Sequence, residues 1–173
     1  MLKILVTGGA GLIGSNVVKR FLSLGHEVHV ADNLWRGKLE NLYNNCHPIV
    51  DLDSHFHQVD LQNYDNCVAV SKDIDVVIHL ADIVAGINFV FANGLFLYRA
   101  NVVMNSNMLD AAILNNVKKY LYVGTACSYP EKMQAELNPP PFKEEDAYPA
   151  SPESAYGWSQ LMGEYECELA KKE

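Results

Sequence analysis

Thr7-Gly8-Gly9-Ala10-Gly11-Leu12-Ile13-Gly14 lies between two stretches of different hydrophobic period. Before it, Lys3 to Thr7 (KILVT) is a short apolar, β-branched run of the kind that forms a buried parallel strand. After it, Leu12 to Leu24 places Ile13, Val17, Val18, Phe21 and Leu22 at helical spacing, and Gly25 stands where a helix-ending glycine would. A strand, a glycine-rich turn and a helix in that order form a cradle for phosphate. Gly8 allows the tight turn, Gly11 lets the backbone come close to a pyrophosphate, and Gly14 allows close helix packing. The N–H groups of Leu12, Ile13 and Gly14 at the start of the helix then face an anion together with the positive end of the helix dipole. A tight turn without a ligand is the alternative.

Working outward, Glu27 to Ala31 (EVHVA) reads as a second strand and Asp32 ends it. A carboxylate there accepts hydrogen bonds from the ribose hydroxyls of an adenine dinucleotide and repels a 2′-phosphate, so NAD is expected over NADP. Asp32 could instead open an Asx-turn with Asn33. Arg36 is within reach of a 2′-phosphate, which keeps NADP open as the less favoured cofactor. Ser54 to Val59 reads as a third strand, followed by Asp60-Leu61 at a plausible adenine contact or at an ordinary strand end. Asp75 to Leu80 and Lys119 to Gly124 are a fourth and a fifth strand. Helical patterns run over Asn101 to Asn115 and Ser154 to Lys172, a short helix is expected near Leu39 to Tyr43, and Asn138 to Phe142 (NPPPF) is a loop. Alternating strands and helices predict an α/β fold with a doubly wound parallel sheet, Rossmann-like, in strand order 3-2-1-4-5, with residues 1–173 as one dinucleotide-binding domain.

Composition narrows the partners. The 173 residues carry a net charge of −8, against the basic face that nucleic acid needs. Cys46, Cys67, Cys127 and Cys167 are scattered, with no C-x-x-C and no ligand-like cluster with histidine, so reduced thiols and no metal site are expected. The chain runs directly into a strand, with no signal-peptide pattern and no apolar run of membrane length. A cytoplasmic protein with no membrane partner is expected.

These pieces together resemble the extended short-chain dehydrogenase/reductase family, the NAD-dependent nucleotide-sugar epimerases and dehydratases. The turn at 7–14 matches the family's cofactor loop, and Asp32-Asn33-Leu34 with Arg36-Gly37 looks like the segment after its second strand. His79-Leu80-Ala81 is similar to the H-L-A-A motif beside the nicotinamide ribose, with Asp82 at the second alanine. Gly124-Thr125-Ala126-Cys127-Ser128-Tyr129-Pro130-Glu131 looks like the corresponding segment of GDP-mannose 3,5-epimerases and, less fully, of GDP-fucose synthases.

The resemblance implies transient oxidation of a GDP- or UDP-linked hexose. Tyr156 would be the proton acceptor, Thr125 a hydrogen-bond partner of the substrate hydroxyl, and Cys127 an acid or base at the sugar carbon. Asn101 would steady an active-site water. Read from residue type alone, Tyr156 could be a half-buried helix tyrosine, Thr125 could satisfy its own backbone, Cys127 could be a small core residue, and Asn101 a solvent-facing cap.

The family's Tyr-x-x-x-Lys is Tyr156-x-x-x-Gln160 here. A lysine one helical turn on would favour the phenolate by Coulomb attraction and hold the nicotinamide ribose, whereas glutamine hydrogen-bonds without charge. Activity is therefore expected to be weak or absent, and a non-catalytic NAD-binding module or decayed remnant is the alternative. The resemblance covers only the first half of a family member, so the later strands and the sugar-nucleotide-binding domain are expected to be missing. It also implies a homodimer through helices at about 101–115 and 154–172, with Met108, Leu109, Leu161, Met162 and Leu169 as candidate contacts.

Overall fold

The computed structural model describes residues 1–135, 138–139 and 141–172; Pro140 of the proline-rich loop lies outside them. Five strands form one parallel sheet: β1 (Lys3–Thr7), β2 (Glu27–Asp32), β5 (Phe56–Gln58), β6 (Val76–His79) and β7 (Lys119–Tyr122). Their order is β5-β2-β1-β6-β7, which is the expected 3-2-1-4-5 when these five are counted along the chain. A separate antiparallel pair, β3 (Tyr43–Asn44) and β4 (His47–Pro48), follows a 3-10 turn at Leu39–Leu42. The 3-10 turn meets the expectation of a short helix there.

The helices are α1 (Leu12–Ser23), α2 (Tyr64–Ser71), α3 (Ile87–Ala92), α4 (Gly94–Leu114), α5 (Glu131–Gln134) and α6 (Ala155–Ala170). The chain divides into two compact units. One holds Met1–Asp82 with Ser106–Val123; the other holds Ile83–Asn105 with the segment from Gly124 onward.

The sheet belongs wholly to the first unit. Ile4, Val6, Val28, Val30 and Ile78 alternate to one face and form a buried core with Val18 of α1, Leu42 and Val50. Leu5 and Val77 point to the other face and are also fully buried, so both faces of the sheet are covered, as a doubly wound fold requires. On that side α2 meets the end of α4: Ser71 donates its hydroxyl to the Ala111 carbonyl at 3.4 Å, and Asn115 donates to the Val68 carbonyl at 2.9 Å. Met108 (0% exposed) and Leu109 (9%), on the same stretch of α4, are internal.

In the second unit, α6 starts at Ser154, whose side chain accepts the Gly157 N–H at 3.1 Å as an N-cap. Leu161 of this helix is 1% exposed. Met108, Leu109 and Leu161 therefore cannot supply the intersubunit contacts expected of them. Among the described residues no helix is long and apolar enough to cross a membrane.

Candidate functional site

In the first unit the glycine-rich turn is held from three sides. Gly8 sits at φ +65°, a conformation that favours glycine, and donates its N–H to the Ala31 carbonyl at 2.8 Å. A Cβ at Gly8 would also lie 2.9 Å from the Ala81 nitrogen, and one at Gly14 would overlap the Gly8 carbonyl. Gly14 thus lets α1 start directly on the turn. Gly9, to which the sequence reading gave no role, faces Val30: a Cβ there would come within 2.7 Å of Cγ1. Helix α1 opens at Gly11 without a side-chain cap and without an acidic residue in its first turn. Its leading N–H groups, those of Leu12, Ile13 and Gly14, are thus left for an anion.

Asp32 is buried, and its carboxylate ties the turn to the loop after β2. One oxygen accepts the Ala10 N–H at 3.0 Å, and the other accepts the Leu34 N–H at 2.8 Å. The Asx-turn alternative is therefore real, but it occupies one oxygen only. Each carboxylate oxygen keeps acceptor capacity toward a ribose hydroxyl. The carbonyl of Ala10 accepts from the Lys38 N–H at 3.0 Å and from the Asn41 side chain at 2.7 Å. This strap was not legible in the sequence, because no motif marks Asn41.

Asn33 is exposed and accepts the Trp35 N–H at 2.9 Å, and Arg36 is exposed nearby. Asp60 is exposed and accepts the Gln62 N–H at 2.9 Å, while Leu61 is buried. The ordinary strand-end role of Asp60 is thus present in the structure.

Thr7 is a further residue that the sequence reading missed. Its buried hydroxyl accepts the N–H groups of Leu80 and Ala81, each at 3.1 Å, and lies 2.9 Å from His79 Nδ1. It therefore fixes the carboxyl ends of β1 and β6 side by side, and with them the Leu80-Ala81 backbone. A β-branched hydroxyl at the end of the first strand was the available signal.

In the second unit, Thr125 caps the short 3-10 turn Ala126–Ser128 by accepting the Cys127 N–H at 3.2 Å. It thus does satisfy its own backbone. Cys127 is exposed, which removes the reading of it as a core residue. The first turn of α6 lies against this segment: a Cβ at Gly157 would overlap the Cys127 carbonyl, so the glycine permits the approach. Tyr156, its neighbour, is half-buried, and Gln160 is 4% exposed, with Oε1 3.5 Å from the Asn105 side-chain nitrogen. Thr125, Cys127, Tyr156 and Gln160 are thus all placed by one small arrangement, the 3-10 turn against α6. Asn101 is not a solvent-facing cap. The helix begins earlier, and Asn101 is fully buried, accepting the Ile83 N–H at 2.8 Å and donating to the Ile83 carbonyl at 3.2 Å.

A cradle that a side chain would fill, an uncapped helix start and a buried carboxylate at the end of β2 together fit a dinucleotide. The fold defines the class as a Rossmann-like α/β protein with a parallel sheet. The NAD dependent epimerase/dehydratase family matches residues 4–173, and the chain belongs to that family.

The GDP-mannose 3,5-epimerase 1 of Oryza sativa subsp. indica is 38% identical over 173 residues, 99% of this chain and 43% of the relative. The UDP-glucose 4-epimerase of Halalkalibacterium halodurans is 31% identical, over 91% of this chain and 43% of that relative. Among solved structures, the Thermus thermophilus UDP-glucose 4-epimerase complex with NAD superposes with a TM-score of 0.78 at 28% identity, covering 99% of this chain and 51% of that one. The Thermotoga maritima UDP-glucose 4-epimerase with UDP-glucose gives 0.82 at 27%, covering 99% and 52%. The chain therefore spans about half the length of the relatives it matches.

Proposed function

We propose that this chain binds NAD at the glycine turn and is the cofactor-binding part of a nucleotide-sugar epimerase or dehydratase acting on a GDP- or UDP-linked hexose. The observation that carries this reading is the buried Asp32 carboxylate bonded to Ala10 inside the turn. It stands where a ribose would be held and a 2′-phosphate repelled, which favours NAD over NADP. When bound, the nicotinamide supplies a reversible hydride acceptor for the sugar carbon.

Tyr156 would exchange the hydroxyl proton, Thr125 would orient that hydroxyl, and the exposed thiol of Cys127 would act as an acid or base. Gln160 supplies no positive charge, and its burial beside Asn105 marks it as a packed residue. That observation favours a second reading, a non-catalytic NAD-binding module or decayed remnant, and both readings expect weak turnover or none from the chain alone. A cytoplasmic setting is supported by four free cysteines. A homodimer is supported by exposed apolar residues on α4 (Ile113 at 57%, Leu114 at 58%) and by Leu169 at 42% on α6.

The test is to incubate the chain, and separately Gln160→Lys, with NAD and either GDP-mannose or UDP-glucose, and to follow sugar products by chromatography. Loss of an effective acid–base pair costs on the order of 10²–10⁴-fold in rate, so no product is expected from the unmodified chain. Product appearing only with Gln160→Lys would make residue 160 the cause. Ready turnover by the unmodified chain would overturn the reading of it as poorly active.

A further inference from the structure

At the outer edge of the sheet, a group of ligand-bearing side chains lies apart from the residues discussed above. Strands β2 and β5 pair in parallel, with Val30 opposite Phe56 and Ala31 opposite His57, and the Val30 N–H donates to the His55 carbonyl at 2.7 Å. Side chains on a strand alternate, so Glu27 and His29 of β2 share one face with His55 and His57. The Glu27 carboxylate oxygen Oε1 lies 3.1 Å from His29 Nε2 and 3.7 Å from His55 Nε2. One donor atom from each of Glu27, His29 and His55 falls within 4.8 Å of the others. All three residues are half-buried.

We propose that Glu27, His29 and His55 form a binding site for a divalent transition ion, zinc in the first instance. Zinc bonds to nitrogen and oxygen at about 2.0–2.2 Å, which sets tetrahedral donors roughly 3.3 Å apart. The 3.1 and 3.7 Å separations from the Glu27 oxygen bracket that value, so small side-chain shifts bring the three donors onto one ion. Two imidazoles and a carboxylate suit zinc and its neighbours, and solvent can reach the remaining coordination position.

His57 completes the arrangement from behind. Its Nε2 lies 3.3 Å from His29 Nδ1, with the two rings stacked at an interplanar angle of 5°. A proton held on Nδ1 by that contact leaves the lone pair of His29 Nε2 for the metal, the usual way an outer partner orients a ligating histidine. The competing cation is Lys3, whose ammonium lies 3.4 Å from Glu27 Oε1 on a 47% exposed side chain. A bound ion displaces it and joins β2 to the three-residue strand β5.

The test uses the untagged chain after chelator treatment, titrated calorimetrically with zinc and spectroscopically with cobalt(II). One saturable equivalent is expected, with cobalt d–d bands and no thiolate charge-transfer band. His29→Ala and His55→Ala are expected to weaken zinc binding by more than about 10-fold and His57→Ala by about 10-fold, each variant being checked for folding by circular dichroism. Lys3→Met changes only an exposed side chain, so it tests the site even if the histidine variants fold poorly; it should tighten binding several-fold. No saturable binding, affinity unchanged in folded His29→Ala and His55→Ala, affinity unmoved by Lys3→Met, or a thiolate band placing the metal on cysteine would each overturn the proposal.

Discussion

Removing the Asp32 carboxylate would strip the acceptor from two backbone N–H groups, those of Ala10 and Leu34, in a buried setting. An unsatisfied buried donor costs about 1–3 kcal/mol. Asp32→Ala should therefore lower the melting temperature as well as weaken NAD binding, whereas a purely ligand-facing carboxylate would affect binding alone; thermal unfolding without cofactor separates the two. The thiols make a second case at this scale. Burial pushes the Cys67 thiol up to about 12 and the Cys167 thiol up to about 11, while Cys46 and Cys127 are exposed. Because the thiolate is the reactive form, brief native alkylation at mildly alkaline pH should modify Cys46 and Cys127 and leave Cys67 and Cys167 unlabelled until the chain is unfolded, as read by peptide mass spectrometry. Gly8, Gly14 and Asp32 were legible as residues because their roles depend on local backbone geometry and short sequence separation. Thr7 and Asn41 were not, because their partners (Ala81 and Ala10) come from other elements and are set only by the fold; Asn101 was legible as a candidate, but its bonds to Ile83 were not.

The elements that were misread lack the signal on which the reading depends. The apolar spacing predicts a helix from Asn101, yet α4 starts at Gly94, where exposed Leu95 and Phe96 precede buried Leu97 and blur the one-sided pattern. Helix α2 is short, and its clearest mark is the Asn63 cap accepting from Asp65 and Asn66. Strand β5 covers only Phe56–Gln58 of the expected Ser54 to Val59, because few residues there pair with β2. Strands β1 and β2 were legible almost to the residue, β1 as a continuous apolar run and β2 by the alternation of Val28 and Val30 with Glu27 and His29.

Helix α6 carries a pH-dependent prediction. Burial, and then the charge of Glu168 one turn on, raises the Glu164 pKa above the usual carboxylate value. A raised acid contributes stability that is present below its ordinary pKa and lost as pH rises through its value in the fold. At neutral pH the ionised form is therefore disfavoured in place. Glu164→Gln should raise the melting temperature at pH 7 by about 1–3 °C, and the difference should shrink when the pH falls below the ordinary carboxylate range.

At the scale of the whole molecule, the fold and the family follow from the first strand, the glycine turn and the alternation of elements, all of which are local or periodic. What the chain accomplishes is harder to read, because it spans about half the length of its relatives. The first unit shows an apolar groove of about 720 Å³ lined by Leu12, Ile13, Phe21, Leu80, Leu121 and Val123, and β7 is an end strand of the sheet. Unpaired strand edges and apolar surface of this kind favour association with another polypeptide segment. The central claim, that the turn at Gly8–Gly14 with Asp32 binds NAD, does not depend on that association. Calorimetric titration of the purified chain with NAD and, separately, with NADP tests it most directly. Saturable NAD binding that is at least about 10-fold tighter than NADP binding, and lost in Asp32→Ala, is the predicted result. No heat of binding for either cofactor, or equal affinity for both, would contradict it.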